Sequence, residues 1–94
     1  MLVVVAKAVY KDGESEKAIK LFKDMIQAVW EEDGCIKYNI YQDINDVDVV
    51  TVIEEWDSEE ELKKHIQSEH YLRTIPSIRE LRISSEINIY KKIV

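Results

Sequence analysis

The chain has only two histidines, His65 and His70, and both lie in a stretch with the composition of a surface helix. Histidine has an ordinary pKa near neutrality, so it can accept a proton and return it during a reaction. His65 follows Leu62 by three residues and is adjacent to Ile66, which predicts an interior position for all three. His70 comes five residues later, about 140° round a regular helix. The spacing therefore predicts two separate roles, with His70 at a pocket rim or in solvent near the helix end.

The candidate residues also have structural interpretations. His65 could be a core histidine bonded to a backbone carbonyl, and His70 a cation near a helix C-terminus. Trp56 and the tyrosines could be packing residues with a polar tip. Cys35 follows a glycine and has no paired base, which is typical of a small structural residue.

The spacing of possible ligands argues against a metal site. Helices that bind metal usually place two histidines four residues apart, whereas His65 and His70 are five apart. The single cysteine, Cys35, completes no cluster with them. We therefore expect no bound metal.

Composition limits the possible partners. The net charge is −6 and the basic residues form no cluster, so neither nucleic acid nor an anionic membrane is an expected partner. No apolar run approaches the roughly 20 residues of a membrane span, and the first ten residues lack the features of a signal peptide. One cysteine excludes an internal disulfide and suits a reducing cytoplasm.

The length predicts one domain, residues 1–94, and apolar periodicity predicts six elements in it. Ser58 and Glu61 form a capping box that begins the second helix, and Pro76 is expected to break it. The predicted strands are Leu2–Tyr10, Cys35–Gln42, Val47–Trp56 and Ile83–Ile93; the predicted helices are Ser15–Glu32 and Ser58–Pro76, with a less regular continuation to Leu81.

The order β-α-β-β-α-β is the signature of a ferredoxin-like α+β fold, in which two helices cover one face of an antiparallel sheet. The first and third strands carry apolar residues on both faces. A bare face of this kind would be a large exposed apolar patch. We therefore expect a homodimer whose two sheets pack together as a dimeric α+β barrel.

The segments "EEDGCIKYNIYQD" and "EEWDSEEELKKHIQSEHY" resemble the antibiotic-biosynthesis monooxygenase (ABM) family. The resemblance extends over nearly the whole chain. The residues that carry it are Gly34 and Cys35 with Tyr38, Glu54 with Trp56, His65, and Ser68-Glu69-His70-Tyr71.

The resemblance implies a pocket between helices and sheet, where O₂ oxidises a small quinol or phenol without metal, flavin or haem. His65 would be the catalytic base. Tyr38 and Trp56 would wall the pocket or donate hydrogen bonds, Glu54 would belong to it, and His70 and Tyr71 would lie near its mouth.

Two other functions on the same fold compete with this hypothesis. A non-catalytic dimeric module could bind a small ligand or act structurally. A cavity of a few hundred Å³ reaching His65 would favour the enzyme. Haem degradation is disfavoured by the resemblance, because the first strand lacks an Asn, His65 replaces a Trp, and Ile75 stands where an axial His is expected.

Overall fold

Four strands and three helices make up the computed structural model, which describes all of residues 1–94. In chain order they are β1 (Leu2–Tyr10), α1 (Ser15–Trp30), β2 (Cys35–Gln42), β3 (Val49–Trp56), α2 (Glu59–Ile66), α3 (Glu69–Arg79) and β4 (Arg82–Lys91).

The strands form one antiparallel sheet in the order β2-β3-β1-β4. The two most apolar strands, β1 and β3, occupy its centre because their side chains on the helix-covered face pack into the core. This arrangement confirms the predicted ferredoxin-like α+β fold. None of the three helices is long and apolar enough to cross a membrane.

Helix α1 packs on the sheet through an apolar stripe at helical spacing. Ala18, Phe22, Met25 and Val29 are all buried, as their i, i+4, i+7 and i+11 positions require. Gly34, at a φ of 80°, reverses the chain between α1 and β2. A side chain at this position would also collide with Glu61 of α2, so glycine fixes how β2 enters the sheet beside α2.

The predicted second helix is in fact two helices, and the break is not at Pro76. The chain leaves the helical conformation at Ser68, whose ψ is 152°. The Ser68 hydroxyl donates to the His65 carbonyl at 2.7 Å and accepts from the Tyr71 N–H at 3.3 Å. It therefore ends α2 and caps α3 at once. Pro76 lies inside α3, which continues to Arg79.

The remaining boundaries differ from the prediction by one or two residues. β3 begins at Val49 because Asp46 organises a turn before it, accepting the backbone N–H of Asp48 through its side chain and that of Val49 through its carbonyl. α1 ends at Trp30, and β4 runs from Arg82 to Lys91.

The two faces of the sheet differ in exposure. Val4 and Val52 on the helix-covered face are 5% exposed, whereas Val5 and Ile53 on the other face are only half-buried. Although β1 carries apolar residues on both faces, the single chain buries only the helix-covered one.

Candidate functional site

A cavity of about 240 Å³ lies between the helix-covered face of the sheet and helices α2 and α3. Eleven of its fifteen lining residues are hydrophobic. It is open along β4, where Ile87 and Ile89 are 57% and 58% exposed because no helix covers this edge. The four non-hydrophobic lining residues are Glu54, His65, Arg79 and Arg82.

His65 lies against this cavity with 1% of its surface exposed. Its ring is packed by three aromatic rings, with centroid distances of 4.6 Å to Trp56, 5.1 Å to Tyr71 and 5.6 Å to Tyr38. Helix α2 therefore turns His65 inward, on the side that the spacing predicts. Its Nδ1 lies 2.8 Å from Glu32 Oε2, so its partner is a carboxylate rather than the backbone carbonyl of the structural interpretation.

The same oxygen of Glu32 also binds His70, whose Nε2 lies 2.8 Å away. The expected position of His70, at a rim or in solvent on a separate face, is wrong. The break at Ser68 places His70 in the first turn of α3, where its side chain is 17% exposed. The 140° separation holds only for an unbroken helix, and the two imidazole centroids are 6.4 Å apart.

The hydrogen bond to Glu32 determines which ring nitrogen of His65 carries the proton and which one offers a lone pair to the cavity. An ionised carboxylate only accepts hydrogen bonds, so the Nδ1 of His65 must carry the proton. This leaves the lone pair of Nε2 on the side of Glu54, whose Oε1 is 3.9 Å away. Burial lowers the pKa of His65, against the opposing effect of Glu32, so the neutral form, able to accept a proton, predominates near pH 7.

Glu54 projects from β3 into the same cavity. It is 7% exposed, and its Oε1 accepts the Trp56 indole N–H at 2.9 Å. Burial raises the pKa of Glu54 to about 7, although the Trp56 hydrogen bond opposes the rise. The cavity thus holds a neutral imidazole and a carboxyl that can exchange a proton near neutrality, a combination typical of acid–base sites.

Four of the six residues expected at the pocket line the cavity: Tyr38, Glu54, His65 and Tyr71. Trp56 and His70 lie one layer behind. Trp56 is 0% exposed, packs on the His65 ring and donates to Glu54. Burial raises the pKa of Tyr38 above its ordinary value, which keeps its phenol protonated and able to donate.

Three residues were missed by the sequence analysis: Glu32, Arg79 and Arg82. Glu32 belongs to the acidic run after α1, and nothing in its spacing relates it to histidines 33 and 38 residues away. A signal did exist for the arginines, because all three in the chain, including Arg73, fall within residues 73–82.

Glu32, His65 and His70 could in principle hold a metal ion, since one atom from each lies within 4.8 Å of the others. The spacing argument overlooked this cluster because it assumed an unbroken helix. However, both nitrogens are 2.8 Å from Glu32 Oε2, whereas ligands of a tetrahedral zinc with bonds of about 2.0–2.1 Å are roughly 3.3 Å apart. Hydrogen bonding accounts for this geometry, and the absence of a metal stays a prediction.

Known proteins share this fold and part of this sequence. A family model described as antibiotic biosynthesis monooxygenase matches residues 1–77. A conserved protein from Methanosarcina mazei is 35% identical, covering 98% of this chain and 92% of its own, with a TM-score of 0.93. A structure titled antibiotic biosynthesis monooxygenase is 23% identical over the full length of both chains, also with a TM-score of 0.93. No match was found among curated proteins. The chain therefore belongs to the antibiotic biosynthesis monooxygenase family.

Proposed function

We propose that this protein is a cofactor-independent monooxygenase that oxidises a small quinol- or phenol-type aromatic with O₂. The main support is His65, which contacts an apolar cavity while Glu32 holds its Nδ1 at 2.8 Å. A base oriented by a carboxylate on its far side is the arrangement that activates histidine in many enzymes.

In this proposal, His65 Nε2 takes the acidic proton of the bound aromatic. The negative charge of Glu32 stabilises the imidazolium that forms. The deprotonated aromatic is electron-rich enough to reduce O₂, and the resulting peroxide collapses when His65 returns the proton. For an anthrone-type carbon, CH₂ and O₂ give C=O and H₂O. The substrate supplies all the electrons, so no further reductant is needed.

The other polar groups of the cavity would stabilise the anion. Tyr38 remains a neutral phenol and can donate, and Glu54 can donate while it is protonated, below its pKa of about 7. Both are buried among apolar side chains. Hydrogen bonds to a developing anion are stronger in such an environment than in water.

A non-catalytic ligand-binding module is the alternative. It would need the cavity but not the Glu32–His65 pair. A buried charged network adds little to stability, so its presence beside a cavity favours chemistry. Haem degradation stays disfavoured, since Ile75, at the position expected for an axial ligand, is an apolar core residue that is 5% exposed.

Oxygen consumption tests the proposal directly. Metal-depleted protein is mixed with a panel of naphthoquinols and anthrones, and O₂ uptake is compared with the spontaneous rate. We expect enzyme-dependent uptake with at least one compound, unchanged by a chelator. Ligand binding without uptake across the panel would support the module instead. Uptake that requires a stoichiometric metal would move the mechanism to a metal-assisted class.

We also propose that the protein is a cytoplasmic homodimer. The half-buried valines and isoleucine on the bare face of β1 and β3 are the apolar surface that a second sheet would cover. Val5→Lys, at the centre of this face, should shift the protein towards monomer in sedimentation. Ile44→Lys, in a loop and 97% exposed, is the matched control and should leave the dimer intact. A stable wild-type monomer at micromolar concentration would contradict the proposal.

A further inference from the structure

Two arginines contact the cavity, and neither has an acidic partner. Arg79 lies at the mouth and Arg82 is half-buried. No carboxylate lies within 4.0 Å of either guanidinium, although the chain carries 19 acidic residues. Arg73 and Arg79 are both exposed on α3, but Arg73 is paired with Glu69 at 3.4 Å. Charged side chains that are withdrawn from water are usually paired, and a guanidinium is suited to binding carboxylates, so unpaired arginines beside a cavity favour an anionic ligand.

Arg82 lacks a hydrogen-bond partner at one of its donor atoms. Its Nε is buried and has no hydrogen-bond partner. A buried donor left unpaired costs roughly 1–3 kcal/mol, and more when it is charged. A ligand oxygen would remove this cost. Arg79 is held in place by donating from Nη2 to the Tyr71 hydroxyl at 3.4 Å.

The arginines and the acid–base pair occupy different ends of the site. Glu54 pairs with Val4 in the sheet, and Arg82 pairs with Tyr10, six residues further along β1. At about 3.3 Å per residue, these rows are roughly 20 Å apart at the backbone. The long arginine side chains shorten this separation, and Tyr71 connects the two ends, since its ring centroid is 5.1 Å from that of His65.

We propose that the ligand of this cavity is an aromatic carboxylic acid whose carboxylate is bound by Arg79 and Arg82. The planar guanidinium fork matches a carboxylate with two parallel hydrogen bonds. The orientation, with the phenolic ring towards His65, rests on the proposed function; the carboxylate site itself does not. Both arginines lie beyond residues 1–77, the part matched by the family model.

Equilibrium binding tests this site without requiring turnover. The probes are 6-hydroxy-2-naphthoic acid, whose hydroxyl and carboxylate lie at opposite ends of the ring system, and its neutral carboxamide, which has nearly the same shape. Titration calorimetry at low salt should show the acid binding at least tenfold more tightly than the amide. The preference should weaken as salt is added, because it depends on charge.

The variants separate this site from general surface charge. Arg82→Gln should reduce the preference for the acid to about twofold or less, because it weakens acid binding much more than amide binding, and Arg82→Lys should retain part of the preference. Arg73→Gln is the matched control on the exposed face of α3 and should behave as the wild type. Thermal unfolding checks that each variant is folded.

Equal affinity for acid and amide, or no binding of either, would overturn the inference, as would an equal effect of Arg73→Gln. These outcomes are independent of the oxidation assay. Arginine-dependent binding of the acid without any O₂ uptake would retain the carboxylate site and reject the oxygenase. Uptake with neutral quinols and no preference for acids would do the reverse.

Discussion

His65 lies between two carboxylates, and their environments differ. Glu32, whose side chain is 14% exposed, binds its Nδ1 at 2.8 Å and also binds His70. Glu54 is 3.9 Å from its Nε2, in the apolar cavity, and its pKa is raised to about 7. Glu32 orients the imidazole, and Glu54 can exchange a proton on the side of His65 that faces the substrate. Identical side chains thus acquire different chemistry from burial and partners alone.

Removing the imidazole should have the largest effect. His65→Ala eliminates the proposed base, and turnover should fall by about 10²–10⁴-fold. The measurement is O₂ uptake with the best substrate of the panel. Added imidazole should restore part of the rate, since the variant leaves space beside the cavity. Unchanged turnover would remove His65 from the mechanism.

Neutralising Glu32, the carboxylate on the far side of His65 from the cavity, should have the next largest effect on turnover. Glu32→Gln removes the charge that stabilises the imidazolium and permits the wrong tautomer, so kcat should fall by about 10–10³-fold with little change in KM. The neighbouring exposed Glu31 accepts only from Gln27, and Glu31→Gln is the control. A similar loss in both variants would show that bulk charge, rather than orientation, matters.

Sequence patterns predicted the fold better than the site, for a physical reason. Apolar periodicity reports which face of an element is buried, and it located β1, α1 and the interior position of His65. The site depends instead on a single turn at Ser68, which brings His70 back to Glu32. The Ser68–Tyr71 segment does contain a capping serine. Because Pro76 is the stronger breaker by propensity, the periodicity gave no reason to place the break earlier. Glu32 contacts two histidines that are 33 and 38 positions away in the sequence, and contacts over such separations leave no periodic signal.

Glu54, the carboxylate on the cavity side of His65 (the inner carboxylate), should make the free energy of unfolding depend on pH. The folded protein keeps the Glu54 proton up to a pKa of about 7, whereas the unfolded chain loses it near 4.5. Between these values the folded state binds more protons, so the Glu54 contribution to stability is lost as the pH rises. Glu54→Gln should abolish this decline, gaining on the order of 2–3 kcal/mol relative to wild type between pH 4.5 and 7.

Urea unfolding at several pH values measures this difference. Glu55→Gln, the next residue on the opposite face and paired with Lys37 at 3.5 Å, serves as the control. His65 contributes in the opposite direction, because its lowered pKa adds stability as the pH rises towards 6.5, but it is common to both variants. If the difference in unfolding free energy between Glu54→Gln and wild type did not change with pH, Glu54 would be ionised throughout this range.

Replacing His70 should have the smallest effect on turnover. The direction in which the acid limb of the pH–rate profile moves distinguishes the Glu32 side of His65 from the Glu54 side. His70 lowers the pKa of His65 and shares Glu32 with it. His70→Ala should therefore leave Glu32 to His65 alone and raise the pKa of His65, because the neighbouring imidazole no longer lowers it. Most turnover at pH 8 should remain, while the acid limb of the pH–rate profile moves to higher pH. Glu54→Gln should instead alter the profile near pH 7, where the inner carboxyl titrates. A downward shift of the acid limb in His70→Ala would contradict the role of His70 as a competitor for Glu32. A loss as large as that of His65→Ala would make His70 part of the catalytic base itself.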